Sequence, residues 1–356
     1  MANEKILVIN PGSTSTKVAL FDGNTEVWKV SIDHDRESLK PFNDVVDQLD
    51  FRYDLIVEEM TKHGARKEDL ACVMSRGGPI AAVRSGPYEV NDTMVEIART
   101  HPQDHHVSII GAMIAYKLAQ EVGIKAYIYD AVSVDELLDI CHVTGLPNIT
   151  RVGQGHHLNM RAAALKYCKD NNLDYYNSTL LVAHLGGGIS TSLQMHGRIV
   201  DMSNDEDGPF APERAGCMPM KPFLDLCFDH GYTKQQVYKM MKGNAGLVAW
   251  LGTNDSREVE KMIKAGDEKA KLVYEAMAYN TSRHLAKLTP GCKGKVDQII
   301  LTGGIAYSEY FTGMIKEQVD WIAPVTVIPG ENEMQALADG AARVLRGEEQ
   351  ARLLEG

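Results

Sequence analysis

Residues 5–17 read KILVINPGSTSTK, and residues 180–191 read LLVAHLGGGIST. Each segment is an apolar strand that ends in a turn of glycine and hydroxyl residues, and a second strand follows each turn. The two segments align without a gap, so that Leu7, Val8, Gly12 and Gly23 correspond to Leu181, Val182, Gly186 and Gly197. Self-similarity over such a distance predicts two related halves of one architecture.

The two turns have the composition of anion-binding loops. Glycine and small hydroxyl residues at the end of a strand let backbone amides and hydroxyls approach an anion closely. Either turn alone would also fit an ordinary β-hairpin with a glycine-rich loop. Their repetition favours the first interpretation, so we expect the two turns to hold a polyphosphate.

Composition limits the class of protein. A length of 356 residues suggests two domains, and 44% apolar with 24% charged residues is typical of a soluble globular chain. Neither a secretory signal nor a long apolar run is found, so a cytoplasmic protein is expected. The six cysteines lack C-x-x-C spacing, which predicts reduced thiols in core positions without disulfide or zinc. A net charge of -11 argues against nucleic-acid and membrane partners.

Apolar runs alternate with helical patterns, which predicts an α/β fold. Strands are expected at residues 6–9, 17–21, 27–32, 71–75, 126–129, 180–183, 191–195, 198–202, 298–302 and 325–328. Helices are expected at residues 108–122, 268–288 and 333–345. The segment 143–154 is the expected crossover between domains, and the last helix should pack back on the first domain. This gives domains at 1–154 plus 330–356 and at 155–329.

Five motifs together resemble those of the acetokinase family within the actin-like ATPase superfold. They are residues 10–17 (NPGSTSTK), 184–188 (HLGGG), 212–216 (PERAG), 253–257 (TNDSR) and 302–305 (TGGI). Within the family, the Arg76-Gly77-Gly78 block, the Glu213-Arg214 variant and residues 246–255 are similar to the butyrate kinase branch. The resemblance covers the whole chain.

The resemblance implies two duplicated actin/ribonuclease-H-like domains, each a mixed five-stranded sheet flanked by helices, with the cleft between them. The first domain would take a small carboxylate, and the second would take the nucleotide. ATP/ADP and Mg²⁺ are the implied cofactors, and a homodimer or higher homo-oligomer is the implied assembly. The implied reaction is reversible phosphoryl transfer from ATP to butanoate, giving butanoyl phosphate and ADP.

This chemistry agrees with the residues present. A carboxylate is already ionised at neutral pH, so its attack on the γ-phosphorus needs no general base. The site must instead align two anions and supply fixed positive charge around the transferring group. Arginines, a magnesium ion and neutral donors suffice for that.

Two arginines are candidates for this charge. Arg76 follows a predicted strand, and its guanidinium fork matches a carboxylate, although an ordinary surface arginine would fit the same position. Arg214 lies in a tight turn, and the resemblance assigns it to stabilisation of the transferring phosphoryl group. We predict catalytic roles for both and substrate binding for Arg76.

Three histidines are candidates as well. His106 occupies the substrate-side position of the family, and His156 matches the histidine that donates to the phosphoryl oxygens, with a one-residue ambiguity towards His157. His184 fits a nucleotide contact or a buried packing residue equally well. The group His101, Asp104, His105 and His106 imitates a metal site, but Pro102 interrupts it, and we favour other roles for these residues.

Two acidic residues complete the catalytic set. Asp130 ends a strand, where α/β folds place reacting groups, although it could also cap a helix over residues 133–141. By resemblance Asp130 belongs to the catalytic and magnesium neighbourhood. Glu333 is the metal-side acid of the family and is reached together with Asn10, while a charge complementing the helix dipole is the alternative.

The nucleotide contacts are expected in both turns and in the second half of the chain. Exposed amides at a strand end that opens a helix can meet a nucleoside or a phosphate. The predicted nucleotide-binding residues are Asn10, Ser13, Ser15, Lys17, His184, Gly186, Gly187, Gly188, Asp255, Ser256, Arg257, Gly303, Gly304 and Ser308. Ser308 replaces the asparagine of the family.

Other functions stay open at this stage. Acetate, propionate or isobutyrate could be the acceptor, because one methylene changes binding by only about 1 to 3 kcal/mol. A non-catalytic, ATP-switched binding protein is an alternative from another class, since the superfold also serves such proteins. No extra block of sequence is left over to form a client-binding domain.

Overall fold

The structure is a computed structural model that describes residues 4–103, 106–204 and 206–355. The chain forms two compact units. The first unit contains the residues up to Asp135 together with those from Asn332 onward, and the second unit contains Glu136–Glu331. Among the described residues, no helix has the length and apolarity needed to cross a bilayer.

The described residues form twelve strands. They are β1 (Lys5–Pro11), β2 (Ser15–Asp22), β3 (Thr25–Asp33), β4 (Cys72–Arg76), β5 (Pro87–Glu89), β6 (Lys125–Tyr129), β7 (Thr179–Leu185), β8 (Ile189–Met195), β9 (Arg198–Ser203), β10 (Gln298–Gly303), β11 (Val325–Pro329) and β12 (Arg352–Leu353). Every predicted strand is confirmed. The two short strands β5 and β12 were not predicted.

Helices fill the connections between these strands. They are α1 (Arg36–Leu39), α2 (Leu49–Lys62), α3 (Asp92–Thr100), α4 (Ile109–Val122), α5 (Asp139–His142), α6 (His157–Asp170), α7 (Met220–Asp229), α8 (Lys234–Met241), α9 (Gly246–Leu251), α10 (Ser256–Lys264), α11 (Glu268–Lys287), α12 (Glu309–Val319) and α13 (Glu333–Leu345). The three predicted helices correspond to α4, α11 and α13.

The two sheets share one arrangement of five strands. In the first unit the order is β12-β5-β6-β4-β1-β2-β3, and in the second it is β11-β10-β7-β8-β9. Each sheet contains an antiparallel meander, β1-β2-β3 in the first unit and β7-β8-β9 in the second. The first strand of each meander also pairs in parallel on its other side, β1 with β4 and β7 with β10. The predicted duplication is therefore confirmed. The first sheet has seven strands instead of five, because β5 and β12 extend it beyond β6.

Each unit has its own apolar core. In the first, Leu7 and Val73 from the sheet pack with Ile114 from α4, and all three are fully buried. In the second, Leu181 and Leu301 pack with Met277 of α11. Helix α13 belongs to the first unit, as expected, and its Arg343 donates a 2.6 Å hydrogen bond to the hydroxyl of Tyr129 in β6.

The division between the units lies earlier than the predicted residue 154. The segment 136–154 belongs to the second unit because Leu137 packs in its core and the Leu138 amide donates to the Val200 carbonyl at 2.9 Å. Arg151 anchors the same segment with a 2.7 Å hydrogen bond to Asp207. The return crossing lies between Glu331 and Asn332, close to the predicted residue 330.

The cysteines differ in part from the expectation. All six are free thiols, and Cys72, Cys168 and Cys292 are buried as predicted. The prediction of core positions is wrong for Cys217, which is exposed, and for Cys141 and Cys227, which are partly exposed. They lie on or beside short helices that are only loosely covered.

Candidate active site

Three predicted residues meet in the first unit. Asn10 lies near the end of β1 and Arg76 ends β4, and these parallel neighbours finish at the same edge of the sheet. Glu333, the first residue of α13, accepts a 2.6 Å hydrogen bond from Nδ2 of Asn10 and forms a 3.1 Å ion pair with Nη1 of Arg76. The carboxylate also lies at a helix N-terminus, where negative charge is stabilised. The position at the helix start fits the helix-dipole interpretation, while the metal-side role of Glu333 stays a prediction.

Gly77 and Gly78, which follow Arg76, allow two other segments to pack closely against the end of β4. A Cβ atom on Gly77 would lie 2.5 Å from the Cβ of Ala131, which directly follows Asp130. A Cβ atom on Gly78 would lie 2.5 Å from the amide nitrogen of Ile109, the first residue of α4. Only glycine permits these approaches, since real Cβ contacts are never so short. The pair thus brings β6 and the start of α4 against the end of β4.

Asp130 is buried and held in a strained conformation. Its φ of 43° lies in the left-handed region that disfavours non-glycine residues. Its Oδ1 atom accepts a 2.7 Å hydrogen bond from the Gly86 amide. The alternative role as a helix cap is wrong, because residues 133–138 are not helical and α5 begins only at Asp139. The backbone at Ser133 and Asp135 pairs with Val83 instead.

His106 lies shortly before α4, two residues ahead of Ser108, the N-cap residue of this helix. Its Nδ1 atom accepts a hydrogen bond from the Ser108 amide at 3.2 Å and lies 2.8 Å from the Ser108 hydroxyl. The imidazole is exposed. Asp104 and His105, which belonged to the imitated metal site, lie outside the described residues.

The first glycine and hydroxyl turn is closed by a 2.7 Å hydrogen bond from the Gly12 amide to the Ser15 carbonyl. Ser13 and the side chain of Lys17 are exposed, while Thr16 is buried. The second turn is closed in a related way, with the Gly186 amide donating to the Gly188 carbonyl at 3.1 Å. The repeated sequence pattern thus forms repeated local structure.

The second unit places His156 and His184 together. Their rings stack with centroids 4.1 Å apart, and Nδ1 of His156 lies 3.0 Å from the Ser190 hydroxyl. His184 is 1% exposed, and its Nε2 atom lies 3.3 Å from a carboxylate oxygen of Glu331. His157 instead is the first residue of α6 and is 2% exposed, with Nε2 at 3.1 Å from the Gly153 carbonyl. The His157 ring therefore belongs to the packing of the unit.

Glu213 connects the second turn with the loop that carries Arg214. Its amide donates to the Gly187 carbonyl at 3.1 Å, and its Oε1 atom accepts a 2.6 Å hydrogen bond from Nδ2 of Asn254. Nη1 of Arg214 lies 3.9 Å from the other carboxylate oxygen. Gly246 has a φ of +58°, and a Cβ atom there would lie 1.6 Å from the Ala211 carbonyl. The loop is therefore packed against α9.

The predicted nucleoside residues lie on two helix starts of the second unit. Asp255 caps α10 and binds the guanidinium of Arg257 at 2.7 Å, which lowers the pKa of this carboxyl to about 2. Ser308 caps α12, and its hydroxyl donates to Glu260 of α10 at 2.5 Å. The Tyr274 hydroxyl donates to the same carboxylate oxygen at 3.3 Å. Glu260 thus joins the start of α12 to α10.

Gly303 ends β10 beside this group. Its amide donates to the Gly330 carbonyl at 3.2 Å, and the Gly330 amide donates back at 2.9 Å. A 3₁₀ turn over Gly304–Tyr307 follows, ahead of α12. The strand therefore opens into a helix through a short turn, as predicted.

Sequence reasoning missed two acidic residues, Glu213 and Glu331. Each contacts a predicted site residue that is distant in sequence, so no local pattern reveals it. Two signals were available, because Glu213 is part of the 212–216 motif directly before Arg214, and Glu331 lies two residues before Glu333.

Comparison with known proteins relates the chain to one family. The model of the acetokinase family matches residues 157–319. A protein of Caldanaerobacter subterraneus subsp. tengcongensis, named probable butyrate kinase 2, is 46% identical over 346 residues, which cover 97% of this chain and 98% of that protein. A probable butyrate kinase of Clostridium botulinum is 41% identical over 351 residues, with coverages of 98% and 99%.

A solved structure supports the fold. The crystal structure of acetate kinase from Porphyromonas gingivalis superposes with a TM-score of 0.78 at 19% identity and covers 96% of this chain and 99% of that one. The chain belongs to the acetokinase family. It is a phosphotransferase with a carboxyl group as acceptor, and the kinases of this family use ATP and ADP.

Proposed function

We propose that this chain phosphorylates butanoate with ATP to give butanoyl phosphate and ADP, reversibly and by direct in-line transfer. The observation that carries the proposal is the Asn10, Arg76 and Glu333 cluster at the end of the first sheet. The names of the two relatives, both probable butyrate kinases, support butanoate as the acceptor.

The geometry at Arg76 supports its role as the carboxylate ligand. Among the described residues, its ion pair with Glu333 uses only Nη1. A guanidinium has five donors in a planar fork, so Nε and Nη2 stay available for a second carboxylate. We propose that the substrate carboxylate binds there, with the exposed His106 and the buried Asp130 as its neighbours.

In the second unit, we propose that Arg214 and His156 stabilise the transferring phosphoryl group. Both are partly buried, so their interactions with an anion are stronger than in water. Asp255, Ser256, Arg257, Gly303, Gly304 and Ser308 are proposed to hold the nucleoside. The two turns are proposed to hold its phosphates.

Glu333 and the amide oxygen of Asn10 fit a magnesium ion. Mg²⁺ prefers hard oxygen ligands and is usually held by one or two carboxylates together with substrate phosphates. A bound Mg²⁺ would neutralise charge that develops on the phosphates. The residues themselves would orient the ion, while Arg76 fixes the position of the Glu333 carboxylate.

A hydroxamate assay for acyl phosphate tests the proposal. The purified chain would receive ATP, magnesium and either acetate, propionate, butanoate or isobutyrate in parallel. We expect the highest kcat/KM with butanoate. A higher value with another acid would assign the enzyme to that acceptor, and formation of none of the four acyl phosphates would favour the ATP-switched binding protein.

The homo-oligomeric assembly and the cytoplasmic location stay predictions. Light scattering of the purified chain measures the first, and a fluorescent fusion expressed in a bacterium measures the second.

A further inference from the structure

Arg52 is an interior arginine that contacts the first glycine and hydroxyl turn. It lies in the first turn of α2 and is 0% exposed. Its Nη1 atom donates to the carbonyl oxygens of Gly12 at 2.8 Å and Ser15 at 3.2 Å. Its Nη2 atom donates to the Ser13 carbonyl at 3.4 Å. One side chain thus binds three carbonyls of a single turn.

The fourth carbonyl of the turn is bound by the residue that directly follows β3. The Thr14 carbonyl accepts a 2.8 Å hydrogen bond from the His34 amide. The four consecutive carbonyls of residues 12–15 therefore all face protein donors. Because a peptide unit is planar and trans, each of these carbonyls fixes the next amide N–H in the opposite direction. The amides of Ser13 and Thr14 are thereby directed away from Arg52.

These two amides are the ones that an anion could use. Ser13 and Thr14 are exposed, and within residues 4–103, 106–204 and 206–355 no hydrogen bond from either amide is found. Successive N–H groups that point the same way form a concave anion site. Because Arg52 and His34 bind the carbonyls on one side of the turn, the amides of Ser13 and Thr14 face the other side, where an anion could bind.

Arg52 also brings charge to the turn. In the described part of the chain it has no carboxylate partner, and its other acceptors are Gln48 at 2.9 Å and the Thr16 hydroxyl at 2.9 Å. Burial lowers the pKa of Arg52 to about 10, so the guanidinium stays protonated at neutral pH. A buried cation without a carboxylate is unfavourable by itself and attracts an anion on the far side of the turn.

We propose that Arg52 is a positioning residue for the phosphate chain of ATP, because it presets the first turn with its amides outward and adds positive potential behind them. This inference rests on the proposed function, since ATP is the anion in question. A residue that only joined α2 to the turn would need neither the unpaired charge nor the capture of successive carbonyls.

Calorimetric titration with magnesium ATP and steady-state kinetics test the proposal on Arg52→Met and Arg52→Lys. Hydrogen bonds to charged groups are worth about 1.5–3 kcal/mol, so we expect the Kd and KM for ATP to rise about 10- to 100-fold in Arg52→Met. The KM for butanoate should change much less. Arg52→Lys keeps the charge and loses the fork, so its Kd should lie between those of Arg52→Met and the parent.

Two variants separate positioning from simple loss of stability. Ile56→Ala removes a fully buried side chain one turn further along α2 and should lower the melting temperature without raising the Kd for ATP. Gln48→Met removes the acceptor on the helix side of Arg52 and leaves every contact to the turn. It should bind ATP nearly as the parent does.

Added guanidinium gives a further readout. At concentrations too low to unfold the protein, it should restore ATP binding to Arg52→Ala and leave Ile56→Ala unchanged. An unchanged Kd in Arg52→Met, or a Kd raised equally in Ile56→Ala, would overturn the role of Arg52. If the parent binds ATP but forms no acyl phosphate, the proposed function fails while the Kd values still decide about Arg52. A parent chain that does not bind ATP overturns both.

Discussion

The Oε1 atom of Glu213 accepts a 2.6 Å hydrogen bond from Nδ2 of Asn254. This contact ties the loop that carries Arg214 to the segment that precedes α10, where the nucleoside residues are proposed. The backbone of Glu213 is bound to the second glycine turn as well. One residue thereby sets the spacing between three parts of the proposed nucleotide site.

Replacement of Glu213 by alanine should weaken nucleotide binding. The Asn254 amide loses its acceptor, so we expect the KM for ATP to rise about tenfold, because a hydrogen bond to a charged group is worth about 1.5–3 kcal/mol. The KM for butanoate should change little. Steady-state kinetics measure both constants, and Glu317→Ala, which removes an exposed carboxylate of the same unit, is the control. Equal changes in both KM values would contradict a nucleotide-specific role.

Arg214→Ala should lower kcat on the order of a thousand-fold, because it removes a cation that acts on charge developing in the transition state. The KM values should change far less. Arg283→Ala removes an arginine of α11 that lies over the ring of Tyr279 and serves as the matched control. If turnover of Arg214→Ala stays within a few-fold of the parent, the assignment is wrong.

Arg76→Lys should raise the KM for butanoate about tenfold or more, although the positive charge is kept. Lysine cannot form two parallel hydrogen bonds to a carboxylate, and its ammonium would stay with Glu333. Kinetics with butanoate as the varied substrate measure the effect, and the exposed Arg84→Lys is the control. A normal KM for butanoate with a raised KM for ATP would move Arg76 to the nucleotide.

His156 and His157 are neighbours with opposite expected phenotypes. His156→Ala should lower kcat about 100-fold with little change in the melting temperature, since it removes a proposed phosphoryl donor. His157→Ala should lower the melting temperature instead, because the buried ring and its contact with the Gly153 carbonyl are lost. Turnover and thermal unfolding of both variants decide the question. The reverse result would exchange the two assignments.

Stability should fall in mild acid. Burial, together with the charge of Arg52, lowers the pKa of His34 to about 4, and burial with Lys287 lowers that of His284 to about 4. The unfolded chain titrates near 6.5, so it binds more protons than the native state between these values. Each histidine then reduces the free energy of unfolding by about 1.4 kcal/mol per pH unit as the pH falls from 6.5 towards 4.

Urea unfolding at pH 7 and pH 5 measures this effect. His284→Gln should weaken the pH dependence by about half of the histidine contribution, and the exposed His230→Gln should leave it unchanged. An acid sensitivity that His284→Gln does not alter would exclude this histidine as a source.

Much of the fold could be predicted because apolar runs and helical spacing are local signals. The ten main strands and the helices α4, α11 and α13 follow from such patterns, and the repeat around Gly12 and Gly186 predicts the duplicated sheets. Strands β5 and β12 have only three and two residues, too few for a period to appear. The placement of segment 136–154 depends on contacts of Leu137 and Arg151 with residues of the distant strand β9.

The candidate site was predictable only in part. Asn10, Arg76 and Glu333 were chosen by motif, and the structure brings them together. Arg52 was missed because one arginine in an ordinary helix has no distinguishing pattern, and its importance depends on carbonyls 37 to 40 residues away. Asp130 was selected because its position at the end of a strand is visible in the sequence. Its strained backbone conformation is not visible there.

The placement of α13 in the first unit has a consequence for biosynthesis. Residues 136–331 are contiguous and can fold as soon as the ribosome releases them, whereas the first sheet waits for a helix translated almost last. Newly made β1 and β4 therefore stay incompletely covered while the middle of the chain is translated. Because Glu333 arrives with that helix, nascent chains stalled before residue 333 should bear a folded second unit and yet transfer no phosphate.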